Sequence, residues 1–430
     1  MNEYVLEQLQ ETLYDQVLDN GLKVVLHPRP EMEKTYAIFA TRYGSIDQTF
    51  TPIGQKDFVT VPDGIAHFLE HKLFEKKDRD VFMDFTRQGA SANAFTSFSR
   101  TAYLFSSTQN VKENVETLLD FVQEPYFSEE TVEKEKGIIA QEINMYDDEP
   151  GWRLFFGTIQ SLFSKHPVRI DIAGTVDSIQ NITKDDLYTC YHTFYHPANM
   201  ILFVTGPFNP EEMFKIIEHN QRQKTFSPFE GIRRYFPVEP DEALRDVNQI
   251  HMPVSRPKCM VGLKEAPSRL TKNHLMTARF VNAMIFDYFF SKSGEFYENL
   301  YEEGLIEDDF DYEMHMEDGF GFSVIGGSTS DPEKLHQTVT KMLLKLTDRG
   351  ISDEEFSRMK KKQIGSVLRS LNSLESTANQ YIYYHHNDLN YFDVLPELQN
   401  LNLDTFRSYV ESWISEDRIN ACYILPKKQE

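Results

Sequence analysis

The stretch DGIAHFLEHKLFE, Asp63 to Glu75, holds two histidines four residues apart, with a glutamate directly before the second. On a helix that turns every 3.6 residues, His67 and His71 share one face, one turn apart. Two imidazoles at that spacing can hold one zinc ion through ring nitrogens at ~2.0–2.1 Å. Glu70 lies beside the pair, placed to reach a metal-bound water without being a ligand itself. Zinc lowers the pKa of such a water toward ~7 and polarises a carbonyl, while a carboxylate takes the proton and hands it to a leaving amine.

The order H-x-x-E-H is the inverse of the commoner H-E-x-x-H, and both orders occur as zinc peptidase signatures. A catalytic zinc also needs a third protein ligand and an open position. The stretch EKEKGIIAQEI offers Glu135 and Glu142, seven apart and therefore two turns along one helix face. A carboxylate on the buried face of so apolar a stretch requires a partner, because an isolated buried charge is costly. In the histidine helix, Asp63 is placed to cap the start, and Phe68, Leu69, Leu73 and Phe74 form the buried side.

Other clusters carry less. His192 and His196 lie four apart near Cys190, but Pro197 puts His196 at a helix end, where a histidine serves as a cap or packs. His385 and His386 are adjacent, cannot face one metal from a regular helix, and are expected at the surface. DGFGFSVIGGSTS lacks the lysine and following helix of a phosphate loop, and no G-x-S-x-G elbow occurs.

The elements that must position these residues alternate strand and helix. NGLKVVLHP (Asn20 to Pro28) and TYAIFATRYGS (Thr35 to Ser45) read as strands. VKENVETLLDFVQ has apolar residues at helical spacing and stops before Pro125. SEETVEKEKGIIAQEINMYDDEP offers Ser128 as N-cap, acids in its first turn, and Pro150 as a break. Residues 220–246 carry Pro228, Pro237, Pro240 and the pair Arg233–Arg234 without apolar period, the pattern of an interdomain linker. The flanking halves echo each other. ITKDDLYTCYHTFYHPANMILFVTGP, from Ile182, aligns without a gap on LNLDTFRSYVESWISEDRINACYILP, from Leu401. SEETVEKEKGIIAQE pairs with SDEEFSRMKKKQIGS in the same order. The sequence therefore predicts a duplicated domain, 1–219 and 247–430.

A net charge of −23 argues against nucleic acid and against an anionic membrane as partners. No apolar run reaches the ~20 residues of a bilayer span, and the acidic N-terminus MNEYVLEQLQETLYDQ lacks the pattern of a signal peptide. Cys190, Cys259 and Cys422 are scattered and odd in number, as expected of reduced core residues in a cytoplasmic protein.

Taken with GASANAFTSFSRTAYLFSS and FYHPANMILFVTGPF, these motifs resemble the insulinase/pitrilysin/mitochondrial-processing-peptidase family of inverted zincins, in its order, over residues 20–215. The resemblance implies an α+β fold of two similar domains, each a mainly antiparallel sheet packed with helices, facing each other across a chamber. It implies His67, His71 and Glu142 as ligands of one zinc per chain, Glu70 as general base, and Glu135 as the acid supporting the site. Ala92, Asn93, Ala94, Phe95 and Thr96 match the edge strand that pairs with an extended peptide, the small alanines admitting its approach. In the second half Ser366 falls where Glu142 would, and FVNAMIFDYFF replaces the histidine helix, so one site per chain follows.

One departure bears on assembly. Members acting alone carry an arginine followed seven residues later by a tyrosine in the second half; here Tyr301 and Asp308 stand there. The expectation is the catalytic subunit of a heterodimeric zinc endopeptidase, with a homologous zinc-less subunit supplying that pair. The alternative is a non-catalytic scaffold or peptide-binding subunit.

Overall fold

The computed structural model describes residues 1–6, 11–268 and 270–427. Its strands are β1 (Asn2–Leu6), β2 (Glu11–Val17), β3 (Lys23–Pro28), β4 (Thr35–Thr41), β5 (Thr49–Phe50), β6 (Val59–Thr60), β7 (Ala90–Thr96), β8 (Thr101–Ser107), β9 (Met200–Gly206), β10 (Asn248–Met252), β11 (Lys258–Lys264), β12 (Asp311–Glu317), β13 (Phe320–Ser328) and β14 (Ile419–Pro426). Its helices are α1 (Ile65–Phe74), α2 (Val81–Arg87), α3 (Val111–Gln123), α4 (Glu129–Asp147), α5 (Pro150–Leu162), α6 (Val176–Gln180), α7 (Lys184–Phe194), α8 (Pro210–Arg222), α9 (Lys272–Phe289), α10 (Glu295–Glu302), α11 (Pro332–Arg349), α12 (Asp353–Ser370), α13 (Leu374–His386), α14 (Val394–Asn400) and α15 (Leu403–Trp413).

Two compact units result, and neither is one contiguous half. The first comprises Met1–Ile143, Ile170–Phe236 and Leu371–His386; the second comprises Asn144–Arg169, Pro237–Ser370 and Asn387–Glu430. The limits 1–219 and 247–430 drawn from the sequence therefore miss two segments, which pack with the other half's sheet.

In the first unit the sheet order is β1-β2-β3-β9-β4-β8-β7, antiparallel except for the parallel pair of β3 with β9. β4 and β9 are buried at every position, and both read as continuous apolar runs because both faces are covered. One face carries the core, where Phe68, Leu69, Leu118, Leu119 and Leu187 are fully buried. α13 covers the other, with Tyr381 packing on Phe203 at 5.1 Å between ring centroids.

In the second unit the order is β10-β14-β11-β13-β12, again with one parallel pair, β10 with β14. This is the arrangement of β3-β9-β4-β8-β7 repeated. The gap-free echo becomes the same elements twice. α7 and α15 are each 11 residues, capped by Thr183 and Asn402, and each is followed by a 3-10 turn and then by β9 or β14. α5 and α13 are each 13 residues and follow α4 and α12. α5 packs on β11 and β14 of the second unit, as α13 packs on β4 and β9 of the first.

The expected linker is partly helical, since α8 runs through Arg222. The rest is pinned to its own units. Arg234 ion-pairs with buried Asp47 at 2.7 Å in the first, and buried Glu239 pairs with Lys264 at 2.7 Å in the second. All three cysteines are free and buried. Among the described residues, no helix is long and apolar enough to cross a membrane.

Candidate metal centre

α1 buries Ile65, Phe68, Leu69 and Leu73 and turns His67 and His71 to its remaining face, ring centroids 4.5 Å apart. Asp63 does not cap it. Gly64 occupies that position at φ 86°, and a Cβ there would lie 2.3 Å from the carbonyl oxygen of Ala173. Close backbone approach and a left-handed turn select glycine, which leaves the Asp63 carbonyl to accept from Ser178 Oγ at 2.9 Å. α4 begins as expected, with Ser128 Oγ accepting from Thr131 N at 3.2 Å. It buries Val132, Glu135, Ile139 and Ile143.

The two helices bring the predicted residues together. His67 Nε2 lies 3.7 Å from Glu142 Oε1, and His71 Nε2 lies 3.6 Å from Glu142 Oε2. One ligand atom from each of the three falls within 4.8 Å of the others, the one such grouping found among the described residues. Ligands at ~2.0–2.1 Å from a tetrahedral ion stand roughly 3.3 Å apart, so this nitrogen, nitrogen, oxygen set fits zinc with small adjustment. Glu135 Oε1 lies 3.1 Å from His71 Nδ1, which places the proton on Nδ1 and aims the Nε2 lone pair at the cluster. His67 Nδ1 is buried without a hydrogen-bond partner.

The electrostatics separate the groups. Burial, helped by the neighbouring His71, pushes the His67 imidazole down to about 3, so it is neutral and able to donate a lone pair. Burial would lower His71 too, but its bond to Glu135 and the charges of Glu70, Glu142 and Glu135 outweigh that and raise it. Burial pushes the Glu70 carboxyl up to about 7 against the opposing hydrogen bond from Thr96. That range suits a group that accepts and returns a proton near neutrality.

β7 is the outer strand of its sheet beyond β8, as expected for a strand that receives a peptide. Its residues alternate between two faces. Ala90, Ala92 and Ala94 pack inward against the core beneath α1 and α2, while Ser91 and Asn93 are exposed. Asn93 Oδ1 accepts from Ala94 N at 2.9 Å, and Phe95 lies under Arg100, 5.5 Å from its ring centroid. The Thr96 hydroxyl is not presented to an incoming peptide; it donates to Glu70 Oε2 at 2.6 Å.

Residues 61–176 match the family described as Insulinase (Peptidase family M16), and residues 181–363 match the Peptidase M16 inactive domain. The chain belongs to the insulinase family of peptidases. A Bacillus subtilis (strain 168) relative named "Uncharacterized zinc protease YmfH" is 51% identical over 98% of both chains. A second from that organism, "Uncharacterized zinc protease YmxG", is 23% identical, covering 93% of this chain and 95% of its own. The crystal structure of an M16-like peptidase from Alicyclobacillus acidocaldarius superposes with TM-score 0.93 at 40% identity, covering 99% of this chain and 100% of that one.

The rival clusters of this insulinase-family chain do other work. His196 accepts from Ala198 N at 3.2 Å, capping a 3-10 turn, and buried Cys190 lies in the core. His386 is buried, not at the surface. DGFGFSVIGGSTS lies in β13 and the turn before it. Tyr301, exposed near the end of α10, and exposed Asp308 lie in the second unit. Sequence reasoning missed Thr96 as a partner of Glu70, although strand alternation placed it on the face of Ala92 and Ala94. It also missed Lys72, a fully buried cation whose Nζ donates to Glu75 and, at 3.3 Å, to Thr131 O at the start of α4.

Proposed function

We propose that this chain is a zinc endopeptidase that cleaves peptides or unfolded polypeptide segments. The observation that carries the reading is the convergence of His67, His71 and Glu142 to within 4.8 Å, with Glu70 on the same helix and β7 open at the sheet edge. His67 Nε2, His71 Nε2 and the Glu142 carboxylate would hold the zinc. Bound there, zinc supplies Lewis-acid polarisation of the scissile carbonyl and acidifies a water. The open edge of β7 pairs with an extended backbone, so affinity depends little on side chains. Glu70 takes the proton of the attacking water and returns it to the leaving nitrogen. Glu135 keeps His71 in the ligating tautomer.

Metal analysis of the purified protein, with Glu70→Gln as control, tests this. The expected result is one zinc per chain in both proteins and, with the co-purifying zinc-less homologue present, turnover of an internally quenched unfolded peptide lower by about 10²–10⁴-fold in the variant. Undiminished turnover in Glu70→Gln removes Glu70 as the base, and stoichiometric zinc with no turnover in either protein leaves a peptide-binding or scaffold subunit.

We further propose that the chain acts in the cytoplasm as the active subunit of a heterodimer. Three buried free thiols support the compartment. Tyr301 and Asp308, where an arginine and a tyrosine would grip substrate, support the partner. Co-purification with a homologue lacking H-x-x-E-H is expected; full peptide cleavage by the isolated chain counts against it.

A further inference from the structure

Thr96 closes β7, and the period of two sets it on the face that packs beneath α1. Its hydroxyl donates to Glu70 Oε2 at 2.6 Å and lies 3.3 Å from the hydroxyl of Thr101, its cross-strand partner. Thr101 is fully buried and donates to the carbonyl oxygen of Tyr43 at 2.9 Å. A threonine hydroxyl has one proton to give. That of Thr101 is committed to the carbonyl, so it can only accept from Thr96. Thr96 must then choose between a neutral hydroxyl at 3.3 Å and a carboxylate at 2.6 Å, and the shorter charge-assisted bond wins.

We propose that Thr96 is a positioning residue for the peptidase reaction: its hydroxyl, backed by Thr101 and Tyr43, anchors the Glu70 carboxylate through Oε2 and leaves Oε1 for the attacking water. This rests on the peptidase reading above. Glutamate has three side-chain torsions, and the hydrogen bond from Thr96 fixes where the buried Glu70 side chain sets its carboxylate. The β-branched threonine is stiff at χ1 and sits on a paired strand, so it makes a rigid post for that carboxylate. The arrangement also couples base and substrate. The backbone of β7 faces the open edge while the side chain of its last residue holds Glu70, so the strand that registers the peptide also registers the base.

The test compares zinc-loaded wild type, Thr96→Val, Thr96→Ser and Glu70→Gln on the same quenched peptide, each assayed as the complex with its co-purifying zinc-less homologue, together with a crystal structure of zinc-loaded Thr96→Val. Valine keeps the shape and removes the donor; serine keeps the donor. The expected result for Thr96→Val is kcat lower by about 10- to 100-fold, with KM and zinc content unchanged and the Glu70 carboxylate turned or dispersed. Thr96→Ser is expected within about 3-fold of wild type, because its hydroxyl can still reach Oε2. A Thr96→Val enzyme with wild-type kcat, or a Thr96→Ser enzyme as slow as it, overturns the assignment. If wild type turns over no faster than Glu70→Gln, the peptidase reading has failed instead. The crystal structure then decides for Thr96: an unmoved carboxylate refutes the anchor, and a displaced one upholds it.

Discussion

Glu135 accepts from the Nδ1 of His71 across 3.1 Å, while the other nitrogen of the same ring points at Glu142, 3.6 Å away. One imidazole is thus flanked on both sides by carboxylates two turns apart on α4, one fixing the tautomer and the other placed where the two could share a cation.

Glu135→Gln is expected to weaken zinc binding by about 10–100-fold, read by competition with a chelating dye, while saturating zinc still gives one ion per chain. An unchanged dissociation constant would show that the ring is oriented by packing alone.

Zinc bound to the folded protein and not to the unfolded chain must raise stability. At free zinc one hundred times its dissociation constant, the gain is about 2.7 kcal/mol, and it should disappear with a chelator. In Glu142→Ala the same titration should yield a much smaller gain. Equal gains in both proteins would place the metal elsewhere.

Gly64→Ala tests the start of α1. A side chain at φ 86°, with its Cβ 2.3 Å from the Ala173 carbonyl, forces the backbone to shift. The expected cost is about 1–3 kcal/mol in denaturant unfolding, with weakened zinc binding because His67 lies in the first turn. A stability within about 0.5 kcal/mol of wild type would remove the steric argument.

His166, in the second unit, is buried, and its Nδ1 accepts from Val168 N at 3.1 Å. Burial pushes it down to about 4, with Glu239 opposing and Lys264 adding to the shift. A base whose folded pKa lies below its unfolded value of ~6.5 leaves stability intact above 6.5, and stability is lost as pH falls toward 4, because the unfolded chain binds the proton first. The loss from this group between pH 7 and pH 5 is about 2 kcal/mol. His166→Asn keeps an acceptor and cannot titrate, so its unfolding free energy should fall by that much less over the same interval. Parallel pH profiles for the two proteins would contradict the assignment.

Much of this was legible because it is local. Helical spacing alone put His67, Glu70 and His71 within one turn and a half, and the echo of 182–207 in 401–426 survived as α7–β9 and α15–β14. The expectation of one site per chain came from Ser366 and from the missing histidines in the second half. Glu142 could be named only as one of two acids on a face, until family resemblance chose it.

What depends on partners far along the chain could not be read. The alanines of β7 and Thr96 alternate correctly in the sequence, but which face lies beneath α1 is set by sheet order. That order brings Lys23–Pro28 beside Met200–Gly206. Likewise α5 and α13 look like ordinary helices of their own sequence halves, yet each covers the sheet built from the other half of the sequence, within one compact unit. Periodicity determines which side of an element is apolar; the chain's long-range packing decides what that side meets, because burial rewards any complementary apolar surface regardless of its distance in sequence.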